Sequence, residues 1–258
     1  MNQTIVALMM FLFSWQLSAK ELVIAVERID YFPHYDFTDH SNPTYASELL
    51  AMFAEAYGHR LVFLPFPIKR AKRELLQNPE VDFLFPDNPA WADFQEDGQE
   101  RHFSAPLVHI LGGTMVRPER LGQGLHEFRT LAVPLGFTPI EWLKLQTNVR
   151  IVEVPNAASA LGLVLKQRVD GADVEYNVAR HYLEQVGAPD TLVMDPSLPF
   201  SPVGFHLSSL KSPEIIEQLN QFLIKEEVKI QALKQKFRLV ETLADLNARQ
   251  AQRHSSLK

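Results

Sequence analysis

The feature that most narrows what this chain can fold into is an order of elements that occurs twice. Short apolar runs rich in branched and aromatic residues alternate with stretches whose apolar positions recur at helical spacing. That alternation builds a parallel sheet with helices packed on it. In the first round, Glu21 to Val26 reads as a strand, Tyr45 to Tyr57 as a helix stopped by Gly58, and Leu61 to Phe66 as a strand ended by Pro65 and Pro67. Lys69 to Gln77 follows as a helix and Val81 to Pro86 as a strand. The second round runs through Thr130 to Leu135, Ile140 to Leu145, Val149 to Val154, Asn156 to Lys166 and Val169 to Val174, with Tyr176 to Gln185 as a further helix. Two similar lobes follow from the repetition.

Between the rounds lies Arg101 to Val116, a polar start leading into an apolar run, which carries the chain out of one lobe and into the other. Val203 to Leu207 is the candidate return crossing, and Thr191 to Met194 a short strand before it. Ser212 to Glu227 and Ile230 to Phe237 read as helices, and the polar residues from Arg249 onward are expected to fray.

Composition removes several classes of function. With 258 residues, 46% of them hydrophobic, the chain has enough apolar material for two ordinary cores. Its net charge of -6, with no broad basic face, argues against nucleic acid as a partner. The absence of cysteine excludes disulfides, thiol chemistry and thiolate zinc sites. The 9 histidines include no pair at helical ligand spacing, so no metal and no cofactor is expected. Residues 1–19 hold the apolar run Ile5 to Phe13 and end in Ser18-Ala19 before Lys20-Glu21, the layout of a secretory signal cleaved after Ala19, although Met1 to Thr4 carries no Lys or Arg. No later run reaches the roughly 20 apolar residues a membrane helix needs, so export to a periplasm-like space as a soluble monomer is the expectation.

Candidate binding residues begin with Tyr31-Phe32-Pro33-His34-Tyr35. Aromatic rings at the carboxyl end of a parallel strand stand where α/β sheets take their ligands, and the same rings also serve to cover a sheet edge. Tyr31 and Phe32 are the two assigned to a ligand. At Gly136-Phe137-Thr138-Pro139, the free amides of a helix start face whatever the loop binds.

These residues, in this order, resemble the bacterial extracellular solute-binding proteins of family 3, which include the periplasmic binding proteins for polar amino acids. The resemblance is carried by Tyr31-Phe32-Pro33, Val81-Asp82, Phe103-Ser104-x-Pro106 (with Leu107 where Tyr is usual), Gly136-x-Thr138 and Arg168-Val169-Asp170. It implies a two-lobed periplasmic-binding-protein fold of type II-like α/β architecture, each lobe a mainly parallel sheet flanked by helices, joined by two crossing strands. Residues 20–110 and 205–258 would form lobe 1 and residues 111–204 lobe 2. It also implies that a small polar ligand is held in the interlobe cleft, enclosed by hinge closure, and delivered to an inner-membrane ABC permease.

The family's carboxylate-binding Arg stands about six residues before the signature Phe, where this chain has Asp97, and the nearest Arg is Arg101, two residues before Phe103. Arg70, near the start of a helix that faces the cleft in the family, is the other candidate; either would pair with a carboxylate through two parallel hydrogen bonds. Glu175, five positions after Asp170, stands where the family holds the ligand's ammonium group, and Thr138 either helps bind an anion or caps its helix. The loop Pro86 to Trp91 replaces the family's Ser and Thr with Asp87 and Trp91, and with Phe94 beyond. This points toward a cationic or ring-bearing ligand, or, for Trp91, toward lobe packing. Two other outputs fit the same scaffold: ligand sensing through a partner protein, and dehydratase-like catalysis with a general acid drawn from His34, Glu175 or Asp87. Nothing in the spacing of those three singles out a catalytic set, so none is assigned and no enzyme is expected.

Overall fold

The computed structural model describes residues 20–39, 41–91 and 100–256. The export signal expected over residues 1–19, and the loop positions Phe94 and Asp97, lie outside the described residues. The first round of elements comprises β1 (Glu21–Glu27), α1 (Tyr45–Tyr57), β2 (Arg60–Phe66), α2 (Ile68–Gln77) and β3 (Phe83–Asp87). The short β4 (His102–Phe103) and the long β5 (Val108–Val116) come next. The second round comprises β6 (Thr130–Pro134), α3 (Ile140–Lys144), β7 (Arg150–Val154), α4 (Ala157–Leu165), β8 (Gly171–Glu175) and α5 (Tyr176–Gln185). The chain closes with β9 (Val193–Met194), β10 (Phe200–Ser209), α6 (Pro213–Lys225), α7 (Glu227–Lys236) and α8 (Leu243–Ser256).

The strand order β2-β1-β3-β10-β5-β8-β6-β7 is the same from either end. Each half has the second strand of its round at the edge, the first strand inside it, the third next, and then an antiparallel strand from elsewhere in the chain. β1 runs parallel to β2 and β3, and β6 parallel to β7 and β8, so the repeated alternation does produce two mainly parallel lobes. The antiparallel strands β5 and β10 join them. β10 pairs with β5 from Phe200 to Phe205, with β3 from His206 to Ser209 and with β4 at Ser208 and Ser209, its register on β3 shifting between His206 and Ser208.

Local chemistry explains most boundaries. Thr44 and Ser47 form a reciprocal capping box at the start of α1, and Gly58, at φ 71, ends the helix in the left-handed region. Tyr45, Leu49, Leu50 and Phe53 give α1 its buried face. Pro65, expected to end the second strand, instead lies within β2, because β2 is an edge strand and the missing amide there breaks no ladder. The C-terminal fraying expected from Arg249 is also corrected, since α8 continues to Ser256. Thr242 accepts from the Asp245 amide at 3.1 Å and donates to its carboxylate at 2.6 Å, while Leu246 is fully buried, so the helix has both a cap and an anchor.

Helices cover both faces of the first sheet. Along β1, Leu22, Ile24 and Val26 join the large core beneath α1 and α6, while Ala25 joins Ala71, Leu75 and Leu84 beneath α2. A further cluster of Phe128, Leu131, Val133 and Trp142 packs behind β6. The segment after α7 then returns to the second lobe. Asn177 exchanges two 2.9 Å hydrogen bonds with the backbone of Val240, Arg238 pairs with Glu184, and Glu241 accepts from the His109 amide at 2.8 Å.

Gly171 opens β8 where no side chain fits: a Cβ would stand 2.8 Å from Thr114 Cγ2 and 2.9 Å from the Phe128 ring. Gly171→Ala is expected to lower stability by about 1–3 kcal/mol through overpacking, read as a lower urea midpoint at unchanged m-value. An unchanged midpoint would mean that the Phe128 ring yields without cost.

Candidate functional site: the interlobe cleft

Three parallel strands, β1, β3 and β8, end in carboxylates: Glu27, Asp87 and Glu175. All three side chains are buried, at 4%, 0% and 2% exposure. The carboxyl ends of parallel strands are where such sheets open toward a crevice, so the three groups lie where a site is expected.

On the first lobe, the turn after β1 bends back on itself through a bridge between Tyr31 and Tyr35. It is fastened to the start of α1 by the Tyr45 and Ala46 amides, which donate to the carbonyls of Pro33 and His34. This holds Tyr31, His34 and Tyr35 inward. The Tyr35 hydroxyl donates to Glu27 at 2.5 Å. Burial pushes the Glu27 carboxyl up to about 7, against the lowering influence of Tyr35 and of the Lys72 charge. Asp87 accepts from Arg101 Nη1 at 2.9 Å, from the Ser208 hydroxyl at 2.6 Å and from the Asn88 amide at 2.9 Å. Trp91 stands edge-on to Phe205 and under the Lys72 ammonium, 4.9 Å from its ring centre.

On the second lobe, Glu175 caps α5 by accepting from the Val178 amide at 2.9 Å, and also accepts from Asn177 at 2.8 Å and the Leu111 amide at 3.4 Å. His34 of the first lobe brings Nε2 to 2.9 Å from Glu175 Oε2, the oxygen that also accepts from Val178. That contact has the distance of an ion pair without the alignment of a hydrogen bond, and His34 Nδ1 has no hydrogen-bond partner among the described residues. Asp173, two residues earlier on the same face of β8, is pushed up to about 7 by desolvation, although its own surface is only partly covered. Burial and the charges of Glu175 and Glu27 raise the Tyr31 hydroxyl well above the usual tyrosine range, keeping it neutral.

The lobes meet through these residues. Tyr31 stacks on Phe137 with ring centres 5.5 Å apart, and Phe32 lies 4.2 Å from the His181 ring. Gly136, at φ 97, lets its turn approach the start of α2, where a Cβ would come within 3.0 Å of Ile68 Cδ1. Among the residues expected from sequence, Tyr31, Phe32 and Glu175 thus gather at the meeting surface, and Asp87, Trp91 and Arg101 gather on the first lobe beside it. Arg70 and Thr138 stand apart from both groups. Arg70 is exposed, pairs with Glu74 at 2.8 Å and covers the Phe66 ring. Thr138 is exposed, and its carbonyl, not its hydroxyl, accepts the Ile140 amide ahead of α3.

Sequence reasoning missed Glu27, Ser208, Phe137 and Phe205 as members of this surface. Glu27 carried a signal, a charge closing an otherwise apolar strand. Ser208 and Phe205 carried none, because their roles depend on where β10 crosses.

No family model matches the sequence, and no curated protein sequence matches it. Solved structures do match. An amino-acid ABC transporter substrate-binding protein, AbpA from Streptococcus pneumoniae bound to L-arginine, has a TM-score of 0.65 at 17% identity over 84% of this chain and 94% of its own. The sensor domain of a histidine kinase with similarity to periplasmic binding proteins gives 0.67 at 19% over 84% and 95%. The fold is that of the two-lobed periplasmic binding proteins. A third match, the ancestral amino-acid-binding protein AncCDT-1, a precursor of cyclohexadienyl dehydratase, gives 0.63 at 19% over 84% and 94%. At such identities the periplasmic-binding-protein fold is what is shared.

Two outcomes test this arrangement. Arg101→Met leaves the Asp87 charge buried without its cation, and is expected to cost about 3–5 kcal/mol in urea unfolding; a loss under about 1 kcal/mol would mean that Ser208 and the Asn88 amide suffice. Glu27 holds its proton to about pH 7 when folded, against an ordinary value of 4.5, so between these limits the folded state binds more protons than the unfolded one. Its contribution to stability is therefore full below about pH 4.5 and is lost as pH rises to about 7. Glu27→Gln keeps an acceptor for Tyr35 and should reduce the fall in stability between acid and mildly alkaline pH by an amount on the order of 3 kcal/mol. Parallel pH curves for the two proteins would contradict the assignment.

Proposed function

We propose that the chain is an exported solute-binding protein that captures a small polar, amino-acid-like or otherwise charged ligand between its lobes for ABC-type uptake. Residues 1–19 act as the export signal. Residues 20–110 with 205–258 form one lobe and 111–204 the other. The observation that carries the reading is the convergence of Glu27, Asp87 and Glu175 on the meeting surface of a binding-protein fold, among the rings of Tyr31, Phe137 and Phe205. Such a protein works as a periplasmic monomer that closes on its ligand and is recognised closed by a permease. Closure is driven only by the ligand's greater affinity for the closed form.

Glu175 is the group that receives the ligand's positive end, and Tyr31 and Phe32 flank it. Because His34 and Asn177 already occupy this carboxylate, a ligand ammonium reaches it by displacing His34. Arg101, held by Asp87, is the cation offered to a ligand anion. Thr138 and Arg70 would contribute only after the turn at Gly136 and the start of α2 separate. Sensing through a membrane partner is the same binding event with a different listener, and the match to a kinase sensor domain favours keeping it.

Ligand turnover is favoured by one observation, the Glu27 carboxyl that keeps its proton close to neutrality beside Tyr35. Release of product from a prephenate-like substrate by the purified protein would establish it, and binding without turnover would remove it.

A thermal-shift screen against amino acids, polyamines, small organic acids and aromatic metabolites is the decisive experiment. A true ligand at about a hundredfold excess over its dissociation constant adds about 2.7 kcal/mol of stability. Glu175→Gln is expected to weaken a cationic ligand by about tenfold or more, as loss of a charge-assisted hydrogen bond implies. Unchanged affinity in a folded Glu175→Gln protein would sink the role given to that residue.

A further inference from the structure

The side of α5 away from the cleft borders a small cavity walled by Met115, Leu183, Pro189 and Leu192. It offers about 20 Å³ to the centres of water-sized groups, room for a water or for the oxygens of one small anion. Tyr176 and Arg180 supply polar atoms to its lining. Arg180 is only 6% exposed, yet its Nε and Nη1 have no hydrogen-bond partner among the described residues. The Tyr176 hydroxyl likewise makes no hydrogen bond there.

Buried guanidinium groups are ordinarily paired, because an uncompensated buried charge costs several kcal/mol. The other deeply buried arginine of this lobe is better satisfied: Arg120 donates from Nη2 to the His126 carbonyl at 2.9 Å and covers the Phe128 ring at 5.1 Å, leaving only its Nε buried without a partner among the described residues. Arg180 has neither kind of contact. Burial depresses its pKa, and the charges of Arg249 and Arg238 add to this against the opposing influence of Glu184 and Tyr176. Of the two carboxylates beside the cavity, Glu184 pairs with Arg238, and Asp190 has a partner of its own.

We propose that this cavity is a binding site for a small oxyanion, a carboxylate or phosphate group, held by Arg180 Nε and Nη1 with the Tyr176 hydroxyl. The planar edge of a guanidinium presents two parallel donors, which is the geometry such oxygens accept. The site is separate from the interlobe cleft and stands whether or not the cleft binds a solute.

The test follows the Arg180 Nε–H resonance in the folded protein, assigned by its loss in Arg180→Lys, while inorganic phosphate or formate replaces chloride at constant ionic strength. A saturable shift, matched by a saturable rise in Tm, is expected for at least one of the two anions. Tighter phosphate binding would mark a phosphate site and tighter formate binding a carboxylate site; both uphold an oxyanion. Affinity read from Tm should fall by about tenfold or more in Arg180→Lys, and several-fold in Arg249→Gln, which removes a flanking charge without touching the buried group. A resonance that does not saturate with either anion overturns the proposal. So does a Tm response that is the same in wild type, Arg180→Lys and Arg249→Gln.

Discussion

At the centre of the molecule a carboxylate of one lobe meets an imidazole of the other, Glu175 against His34 at 2.9 Å, with both side chains 1% exposed. A buried charge persists only where its desolvation is offset, and Glu175 has that offset inside its own lobe from Val178, Asn177 and Leu111. His34 is in the opposite position, held by its backbone and short of hydrogen bonds. The second lobe therefore presents a preorganised acceptor, and the first presents a donor whose best partner lies across the gap. Tyr31 on Phe137 and Ile68 on Gly136 fall into place around that contact.

Why the acceptor is there follows from the symmetry of the sheet. In each round the third strand lies between the first strand and a crossing strand, so its last residue emerges beside the hinge. Asp87 occupies that position in one lobe and Glu175 in the other, and each is satisfied by local donors. Asp87 has the Asn88 amide, Ser208 and Arg101; Glu175 has the Val178 amide, Asn177 and the amide of Leu111. Related positions carry the same residue chemistry but different partners, a fixed Arg on one side and a His reaching across on the other.

That repetition is also why so much of the fold was legible. Alternating element types are local signals, and α1, β7 and α5 begin and end within a residue of where periodicity and stop residues put them. Pro65 misled because a proline is judged by its missing amide, and only the sheet order reveals that the amide had no partner to lose. The start of α8 was readable from Thr242 and Asp245, yet the polar composition after it outweighed the cap. Tyr31, Phe32 and Glu175, which meet where the lobes touch, were legible as candidates because each closes or follows an element with a chemically distinctive residue. Arg101 and Asp87 were both named as candidates but not as a pair, since their contact, completed by Ser208, depends on how distant segments meet.

The closed surface sets what a cleft ligand must do. Opening it gives up the Tyr31–Phe137 stack, worth about 0.5–1.5 kcal/mol beyond its buried area, together with the pairing of His34 and Glu175. A ligand that merely fills space regains the stacking but leaves Glu175 without its partner from the first lobe. One with a positive end beside an apolar or aromatic body replaces both, and Glu27, Asp87, Asp173 and Glu175 surround it with more acidic than basic groups. A ligand carboxylate meets the reverse condition, because Arg101 is already committed to Asp87 and Arg70 to Glu74. Moving Arg101 onto a ligand would leave Asp87 buried without its cation, a cost that a single new ion pair of the same kind only returns. In the proposed binding role, discrimination would rest on which of these pairs can be exchanged without loss, and His34–Glu175 is the pair whose imidazole already lacks a well-aligned hydrogen bond.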